Sequence, residues 1–240
     1  GVPNGQSCYI VKNISPRVVL AGAGTGFLGG TGTVNLHACR LENADLSDSW
    51  MRNIARDISG GVSDISSDAV DGRKVYVATS TGLFFMNNIY DLWNASTNFT
   101  NIFSGNIQRV LAHPTAANTV YILSGGNIRK GIFTGGLWTF SASLASGAAD
   151  FAVWQHNAKT YIAYVTGVSA NPVAWLSDND GVSFTQVFAA ATHLPSYDWE
   201  DWLFVPNSKN ITLKGIVGYG DAVYFGAGMR NNRKGIAYMK

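Results

Sequence analysis

Short runs of β-branched and aromatic residues recur along the chain, each preceded by a short turn. Runs of Val, Ile, Tyr and Phe about five residues long and bounded by turns are typical of β-strands. The five runs are residues 17–21, 74–78, 119–123, 160–164 and 222–226. Downstream of four of them an aromatic residue opens another short strand, at Trp50, Trp93, Trp138 and Phe184. The pattern predicts repeated small antiparallel sheets with few helices.

The spacing of the repeats specifies the architecture further. The run and its aromatic residue are 19 residues apart in the second and third repeats, at 74 to 93 and 119 to 138. Such recurrence is typical of a β-propeller, and it predicts an all-β, five-bladed β-propeller forming one domain over residues 1–240. The fifth repeat reaches Lys240 before its fourth strand, so the last blade is expected to be incomplete or closed by the N-terminal residues. A β-sandwich is the alternative, but these repeats are spaced more widely than is usual for one.

The fourth repeat contains the turn Ser-Asp-Asn-Asp-Gly-Val-Ser-Phe, residues 177–184. Asn and Asp side chains bond to nearby backbone N–H groups, and Gly181 can adopt a positive φ, which favours a tight turn. The segment resembles the Asp-box, or BNR-type repeat, of sialidases and related β-propellers, with Asn179, Ser183 and Phe184 replacing Asp, Thr and Trp. The resemblance covers eight residues and implies a peripheral element of the fold. It carries no activity over, and the arginine triad of sialidases is not recognised here.

Composition excludes several other classes of protein. Charged residues make up 13 % of the chain, against 27 Gly and 12 % aromatic residues, which argues against disorder and coiled coil. The net charge is +2 and the basic residues are scattered, so no nucleic-acid partner is predicted. No apolar run approaches the roughly 18 residues needed to span a bilayer. We expect a monomer without a membrane span.

Two features favour a secreted or extracytoplasmic protein. Cys8 and Cys39 are the only cysteines, and an even number fits an oxidising compartment, whether or not the two are bonded. Four glycosylation sequons begin at Asn13, Asn94, Asn98 and Asn210, although about three would arise by chance in a chain so rich in Asn, Ser and Thr. Together they predict a secreted glycoprotein.

Motifs for cofactors and metals are weak. Residues 24–29 match Gly-x-Gly-x-x-Gly, but the sequence that follows opens no helix that could bind a pyrophosphate. The four histidines, His37, His113, His156 and His193, lack the spacing of metal ligands. Asp178, Asn179 and Asp180 could hold Ca²⁺ only weakly. No cofactor and no metal is predicted.

Charged residues fall at equivalent places in three blades. In a propeller the first strand of each blade lines the central channel, and counting ten positions back from each second strand reaches Ser7, Asp64, Arg109, Asp150 and Thr212. An Asp–Arg–Asp cluster there would orient a ligand through charge-assisted hydrogen bonds. The alternative is a structural bridge in which Arg109 neutralises both carboxylates.

Aromatic residues divide into two groups. Trp50, Trp93 and Trp138 repeat at blade positions and are interpreted as packing residues. Trp154, Trp199 and Trp202 do not repeat and could stack on a sugar ring or a flat hydrophobic ligand. Glu200 lies in the same stretch as Trp199 and Trp202, and we predict that it also contacts the ligand, as do Ser7 and Thr212.

These residues favour one channel pocket that binds a hydrophobic or sugar-like small molecule. We expect a non-hydrolytic enzyme acting by orientation and hydrogen bonding, by analogy with a hetero-Diels–Alderase-type cyclisation. In that reaction Arg109 would polarise a carbonyl, while Asp64 and Asp150 would orient Arg109 or accept a hydroxyl.

Two alternatives stay open. A secreted lectin would carry one glycan site per blade, yet the blades repeat turns and core positions rather than binding residues. A glycoside hydrolase needs two carboxyl groups about 5 to 10 Å apart, one of them a general acid. Arg109 beside Asp64 and Asp150 would favour two ionised carboxylates, which disfavours hydrolysis.

Overall fold

The structure is a computed structural model of the 240-residue chain. It describes residues 8–15, 18–23, 35–40, 50–53, 58–93, 99–166, 172–189, 212–228 and 234–239. Apart from a 3₁₀ helix at Ile89–Trp93, the regular elements of this part of the chain are β-strands. The fold is therefore all-β, as predicted.

The strands pair in chain order into five antiparallel sheets. The first sheet comprises β1 (Cys8–Ser15), β2 (Val18–Ala23), β3 (Asn35–Arg40) and β4 (Trp50–Asn53). The second comprises β5 (Val62–Ser67), β6 (Val75–Thr79), β7 (Gly82–Met86) and β8 (Thr100–Ser104). The third comprises β9 (Ile107–Ala112), β10 (Thr119–Ser124), β11 (Asn127–Thr134) and β12 (Leu137–Phe140). The fourth comprises β13 (Ala148–His156), β14 (Lys159–Thr166), β15 (Val173–Ser177) and β16 (Thr185–Ala189), and the fifth β17 (Thr212–Tyr219), β18 (Ala222–Gly228) and β19 (Lys234–Met239).

Sheets of this kind are β-propeller blades, which confirms the predicted fold class. Within the described residues the last sheet has three strands, whereas the other four sheets have four each. The number of blades in the ring and its closure stay predictions. The chain divides into two compact units, residues 1–125 with 130–140, and residues 126–129 with 141–240. Its organisation as one domain also stays a prediction.

The second strands are buried on both faces, and this is why they read as unbroken apolar runs. In β6, Val75 and Val77 pack with Ile14, Val18 and Leu20 of the first sheet. The alternate residues, Tyr76 and Ala78, pack with the third sheet through residues such as Val110, Val120 and Ile122. The second unit repeats the arrangement, because Ala163 and Val165 of β14 pack with Val223 and Phe225 of β18. Side chains alternate between the two faces of a strand, so the second blade presents one apolar face to the first blade and the other to the third.

Trp93 does not open a strand, and that prediction was wrong. It ends the 3₁₀ helix, and the fourth strand of this blade begins later, at Thr100. The side chain of Asn88 accepts a hydrogen bond from the Tyr90 N–H at 3.2 Å, and its backbone carbonyl accepts the Asp91 N–H at 3.0 Å. These turn bonds favour the helical turn over continued extension.

Trp138 is a packing residue of β12, as predicted. Its indole lies among aromatic rings of the first unit, with ring centroids 5.7 Å from Tyr76, 5.5 Å from Phe85 and 5.5 Å from Phe133. The buried Nε1 of Trp138 has no hydrogen-bond acceptor among the described residues.

The turn between β5 and β6 is organised by Asp68, whose side chain is almost fully buried. One carboxylate oxygen, Oδ1, accepts the N–H groups of Val70 and Asp71, both at 2.9 Å. The other, Oδ2, accepts the Tyr76 hydroxyl at 3.2 Å and the Asn118 N–H at 2.7 Å. Asp68 thereby holds its own turn closed and ties it to the β9–β10 turn of the next blade.

Tyr76 should make the protein sensitive to alkaline pH. Burial raises the pKa of Tyr76. The Asp68 carboxylate, which accepts a hydrogen bond from the Tyr76 hydroxyl, raises this pKa further. The folded state therefore retains a proton that the unfolded state releases above its pKa of about 10. We expect the free energy of unfolding to fall as pH rises above about 10, by up to about 1.4 kcal/mol per pH unit for this proton. Urea denaturation between pH 8 and 11 should show a shallower decline for Tyr76→Phe, and an unchanged decline would contradict the assignment.

Candidate functional site

Three predicted site residues lie at the same register position of their sheets. The pairing of the first and second strands skips one residue between Val62 and Asp64, between Ile107 and Arg109, and between Ala148 and Asp150. Asp64, Arg109 and Asp150 each follow this β-bulge directly. Bulges re-aim side chains and are frequent beside functional sites. Counting along the sequence thus found equivalent positions in three consecutive blades.

The count does not hold in the first and fifth sheets. Ser7 lies outside the described residues, and in β1 the residue that follows the bulge is Ile10. Thr212 begins β17, whose register shift falls later, between Lys214 and Val217. In β17 the bulge lies less than ten positions before Ala222, the first residue of β18, so a fixed offset of ten residues overshoots it at Thr212.

Asp64 uses both carboxylate oxygens to hold backbone N–H groups. Its side chain is buried, Oδ1 accepts the Ile65 N–H at 2.9 Å, and Oδ2 accepts the Val110 N–H at 3.1 Å. Val110 belongs to β9, an edge strand whose outward N–H groups have no ladder partner in its own sheet. Asp64 satisfies one of them from the preceding blade.

Two serines of β5 extend this clamp on β9. The Ser66 hydroxyl accepts the Ala112 N–H at 3.0 Å, and the Ser63 hydroxyl donates a short hydrogen bond to the Ile107 carbonyl. The bonds to Ile107 and Val110 lie on either side of Gln108 and Arg109. The bulged segment that carries Arg109 is therefore held in place from both ends.

Asp150 makes the same pair of contacts in the second unit. Its Oδ1 accepts the Phe151 N–H at 2.9 Å, and its Oδ2 accepts the N–H of Gly215 on β17 at 3.0 Å. Asp64 and Asp150 thus make the same arrangement, in which a carboxylate that follows the bulge accepts a backbone N–H from the first strand of the next blade. This is a structural role for both carboxylates, and a role for them in a reaction stays a prediction.

Arg109 is partly exposed and stands on the strand that Asp64 captures. The two residues belong to the first unit, whereas Asp150 and its contacts belong to the second. Asp64 thus bonds to the strand that carries Arg109, and Asp150 bonds to Gly215. The predicted three-residue cluster stays a prediction.

Trp154 packs between sheets of the second unit. Its indole stacks on Tyr161 with ring centroids 5.3 Å apart, and Nε1 donates to the Gly220 carbonyl at 2.9 Å. The ring also lies directly against Gly218, where a Cβ atom would overlap it. These contacts are those of a partly buried packing residue, and a contact between Trp154 and a ligand stays a prediction.

Three other predicted ligand residues, Trp199, Glu200 and Trp202, lie outside the described residues. They fall in the 190–211 stretch, which connects β16 to β17. A contact between any of them and a ligand stays a prediction.

Polar character differs between the two ends of the sheets. We call the end at which the first strands begin the upper end. In the second and third sheets its described turns carry small uncharged polar residues: Ser59, Ser80, Thr81, Ser104, Asn106, Gln108 and Ser124. Besides Asp64, the charged residues described there include Arg109 and Arg129, whose guanidinium donates to the Ser141 carbonyl at 3.1 Å. Sequence reasoning missed this surface, although reading alternate turns separately would have revealed it.

The lower end of the second sheet is charged. It carries Asp71, Arg73, Lys74 and Asp91. Arg73 binds Asp71 through Nε at 2.8 Å and lowers the pKa of Asp71 to about 2. The fourth sheet also carries an ion pair at its lower end, where Lys159 binds Asp178 at 2.6 Å and lowers the pKa of Asp178. In the second sheet a hydroxyl-rich surface thus occupies one end, and charged residues the other.

The turn at residues 177–184 has the tight, side-chain-bonded form that its sequence predicts. The Ser177 hydroxyl accepts the N–H groups of Asn179 and Gly181, and Asn179 Oδ1 accepts the Ser183 N–H at 3.0 Å. Gly181 adopts a φ of 83° and is buried against Leu144. The turn lies at the lower end, away from Asp150. The similarity to the Asp-box remains a resemblance of eight residues.

Two absences concern the described residues alone. None of their helices is long and apolar enough to cross a membrane. Their His, Cys, Asp and Glu side chains form no group of three that could hold a metal ion.

Comparison with known proteins identifies the fold. No protein-family model and no curated protein sequence matches the chain. Among solved structures it resembles an auxiliary nutrient binding protein from Bacteroides thetaiotaomicron, at 11 % identity and a TM-score of 0.54, over 96 % of this chain and 56 % of that one. It also resembles the GH74 xyloglucanase from Xanthomonas campestris, at 11 % identity and a TM-score of 0.59, over 92 % of this chain and 35 % of that one. The chain spans about half and about a third of their lengths, and the similarity extends to the β-propeller fold alone.

Proposed function

We propose that this β-propeller binds one small molecule, sugar-like or hydrophobic, at the upper end of its sheets and does not hydrolyse it. The observation that carries the proposal is the hydrogen bonding of Asp64. Glycoside hydrolysis needs a carboxyl group that gives a proton to the leaving oxygen. Both oxygens of Asp64 instead accept backbone N–H groups, which directs the carboxylate toward the protein backbone and not toward a ligand oxygen. Asp150 is bonded in the same way.

In this proposal Arg109 contacts the ligand, and Asp64 positions it. A guanidinium group offers five N–H donors in a planar fork, which suits a ligand carbonyl, carboxylate or pair of hydroxyls. Hydrogen bonds from Ser63 and to Asp64 hold the backbone on both sides of Arg109. A donor held in advance costs little reorganisation when the ligand binds, and the same arrangement would orient a reactive molecule for cyclisation.

Two further considerations support the proposal. The fold is shared with a protein described as nutrient binding and with a xyloglucanase, so carbohydrate ligands are known on it, although this is an analogy at the level of the fold. The equivalent register position holds Ile10, Asp64, Arg109 and Asp150 in the first four sheets, so Asp occurs in two of them and the position is not the same throughout. A lectin with identical sites in every blade would repeat this position in every blade. We include an extracytoplasmic location and ligand walls from Trp199, Glu200 and Trp202 in the proposal on sequence grounds.

Replacing Arg109 tests the proposal. We expect Arg109→Ala to weaken ligand binding about 10- to 100-fold, the effect of losing a charge-assisted hydrogen bond, and Arg109→Lys to weaken it less. Isothermal titration against a panel of neutral oligosaccharides and small hydrophobic carbonyl compounds measures affinity and stoichiometry. Chromatography of the recovered ligand measures any conversion.

Arg73→Ala at the lower end is the matched control and should bind like the wild type, because Arg73 pairs with Asp71 far from the proposed site in its sheet. Several ligands bound per chain, or hydrolysed oligosaccharide, would contradict the proposed function. Unchanged binding by Arg109→Ala together with a loss of stability would show that Arg109 is a structural residue.

A further inference from the structure

The start of β9 presents two amide side chains beside Arg109. Asn106 directly precedes β9, and Gln108 is the residue that the bulge leaves unpaired. Both are exposed, and neither side chain makes a hydrogen bond within the described part of the chain. Each amide offers two N–H donors and a carbonyl acceptor. A compact group of donors and acceptors therefore stands within four residues of sequence.

The backbone under these amides is held firmly. The Ser63 bond to Ile107 and the Asp64 bond to Val110 enclose Gln108, and Ile107 itself is fully buried. Gly105, which precedes Asn106, adopts a φ of 131° that side-chain-bearing residues rarely reach. The segment can therefore present its side chains without the large ordering cost of a flexible loop.

Hydroxyl groups from the β6–β7 turn form the other part of this surface. The Thr81 hydroxyl lies 2.8 Å from the Ser59 hydroxyl and donates to the Ser59 carbonyl at 2.7 Å, and the Ser80 hydroxyl accepts the Gly61 N–H at 3.1 Å. Gly60, with a φ of 79°, lets this turn approach closely, because a Cβ there would lie 2.5 Å from the Ser80 hydroxyl oxygen. Because Thr81 gives its proton to the Ser59 carbonyl, the Ser59 hydroxyl is the donor to Thr81, and the oxygen of Ser59 can still accept. The Ser80 hydroxyl, which accepts from Gly61, can still donate to a ligand.

The chemistry of this surface selects a class of ligand. It mixes donors and acceptors, carries Arg109 on the segment of the two amides, and the Asp64 carboxylate beside this segment is buried. A polyanion is normally met by a cluster of basic side chains, whereas the other described cation of the third sheet at this end, Arg129, donates to the Ser141 carbonyl. Amides and hydroxyls that both donate and accept match the vicinal hydroxyls of a sugar ring, which do the same.

We propose that the upper end of the first unit recognises a neutral carbohydrate, and that Asn106 and Gln108 are its specificity-determining residues beside Arg109. The inference rests on the proposed function and names the ligand class and two residues that this function does not require. A purely hydrophobic ligand would make no hydrogen bond to either amide, so its binding would not depend on Asn106 or Gln108. This difference separates the carbohydrate inference from the broader proposed function.

The test is titration of wild-type protein, Asn106→Ala, Gln108→Ala and the double variant with neutral xyloglucan and cellulose-derived oligosaccharides, with polygalacturonate as the anionic probe. We expect each single variant to weaken neutral-oligosaccharide binding about 3- to 10-fold, the double variant more, and polygalacturonate to bind no variant. Gln155→Ala, an exposed glutamine near the lower end of β13, is the matched control and should bind like the wild type. Thermal melts check that the variants are folded.

The outcomes separate this inference from the proposed function. If the wild type binds a neutral oligosaccharide and both amide variants bind it equally well, the inference is overturned while ligand binding stands. If the wild type binds only hydrophobic compounds or polygalacturonate, the ligand class is wrong. If the wild type binds none of the probes in either panel, both the proposed function and this inference are wrong.

Discussion

Replacing Asp68 with alanine is expected to lower the free energy of unfolding by about 3 to 5 kcal/mol, one of the two largest effects that the structure predicts. The carboxylate is 2 % exposed and accepts hydrogen bonds from Val70, Asp71, Tyr76 and Asn118. Alanine would remove all four acceptor contacts at once. A donor left in a buried site without a partner costs about 1 to 3 kcal/mol, and the alanine also leaves a small cavity.

Equilibrium denaturation in urea measures this change. Asp68→Asn should be intermediate, because the amide keeps one acceptor oxygen while its NH₂ group meets donors. Asp178→Ala is the control, since Asp178 is exposed and its ion pair with Lys159 is a surface pair, which contributes little to stability. A loss of less than about 1 kcal/mol for Asp68→Ala would mean that water replaces the carboxylate and that the turn is not closed from within.

Replacing Gly218 with alanine is expected to destabilise the second unit by about 2 to 4 kcal/mol. The Trp154 indole lies flat against the backbone of Gly218, stacks on Tyr161 and is anchored by its N–H bond to Gly220. A methyl group at Gly218 would overlap the indole, so either the ring leaves its stack or β17 moves away. Either movement opens the apolar cluster between the fourth and fifth sheets, which Trp154 borders.

A double-mutant cycle separates this collision from the loss of glycine itself. In a Trp154→Leu background the Gly218→Ala change should cost much less, because the smaller side chain leaves room for the methyl group. Gly72→Ala serves as the control: a Cβ there would come no closer than 3.7 Å to its nearest neighbour, the Ile14 carbonyl oxygen. Equal costs for Gly218→Ala in both backgrounds would show that the indole is not the cause.

The local pattern of apolar residues was sufficient to predict the strands. Runs such as 74–78 and 119–123 are apolar on both faces, and a short segment buried on both sides has few structures open to it other than a central strand. Trp138 was recognised as a packing residue for the same reason. The register of Asp64 and Arg109 also followed from counting, because their blades have turns of similar length.

The local sequence pattern misled where a side chain redirected the backbone or a bulge changed position. Trp93 follows an Asn-initiated helical turn, so the aromatic residue that marks a strand elsewhere ends a 3₁₀ helix here. Thr212 misses the register position because the bulge of β17 lies less than ten residues before β18. Asn106 and Gln108 attracted no attention, since single amides in a polar turn carry no periodic signal.

The sequence by itself determined that the chain is all-β, where its inner strands run and which charged residues follow the first-strand bulges. Only the tertiary structure decided what those residues do. Asp64 reaches the N–H of Val110, 46 positions away, and Asp150 reaches Gly215, 65 positions away. Trp154 likewise packs against Gly218, a contact that the sequence around neither residue predicts. Strand formation depends on near neighbours and on burial of alternate side chains, whereas a carboxylate meets its donors only after separate sheets have packed together.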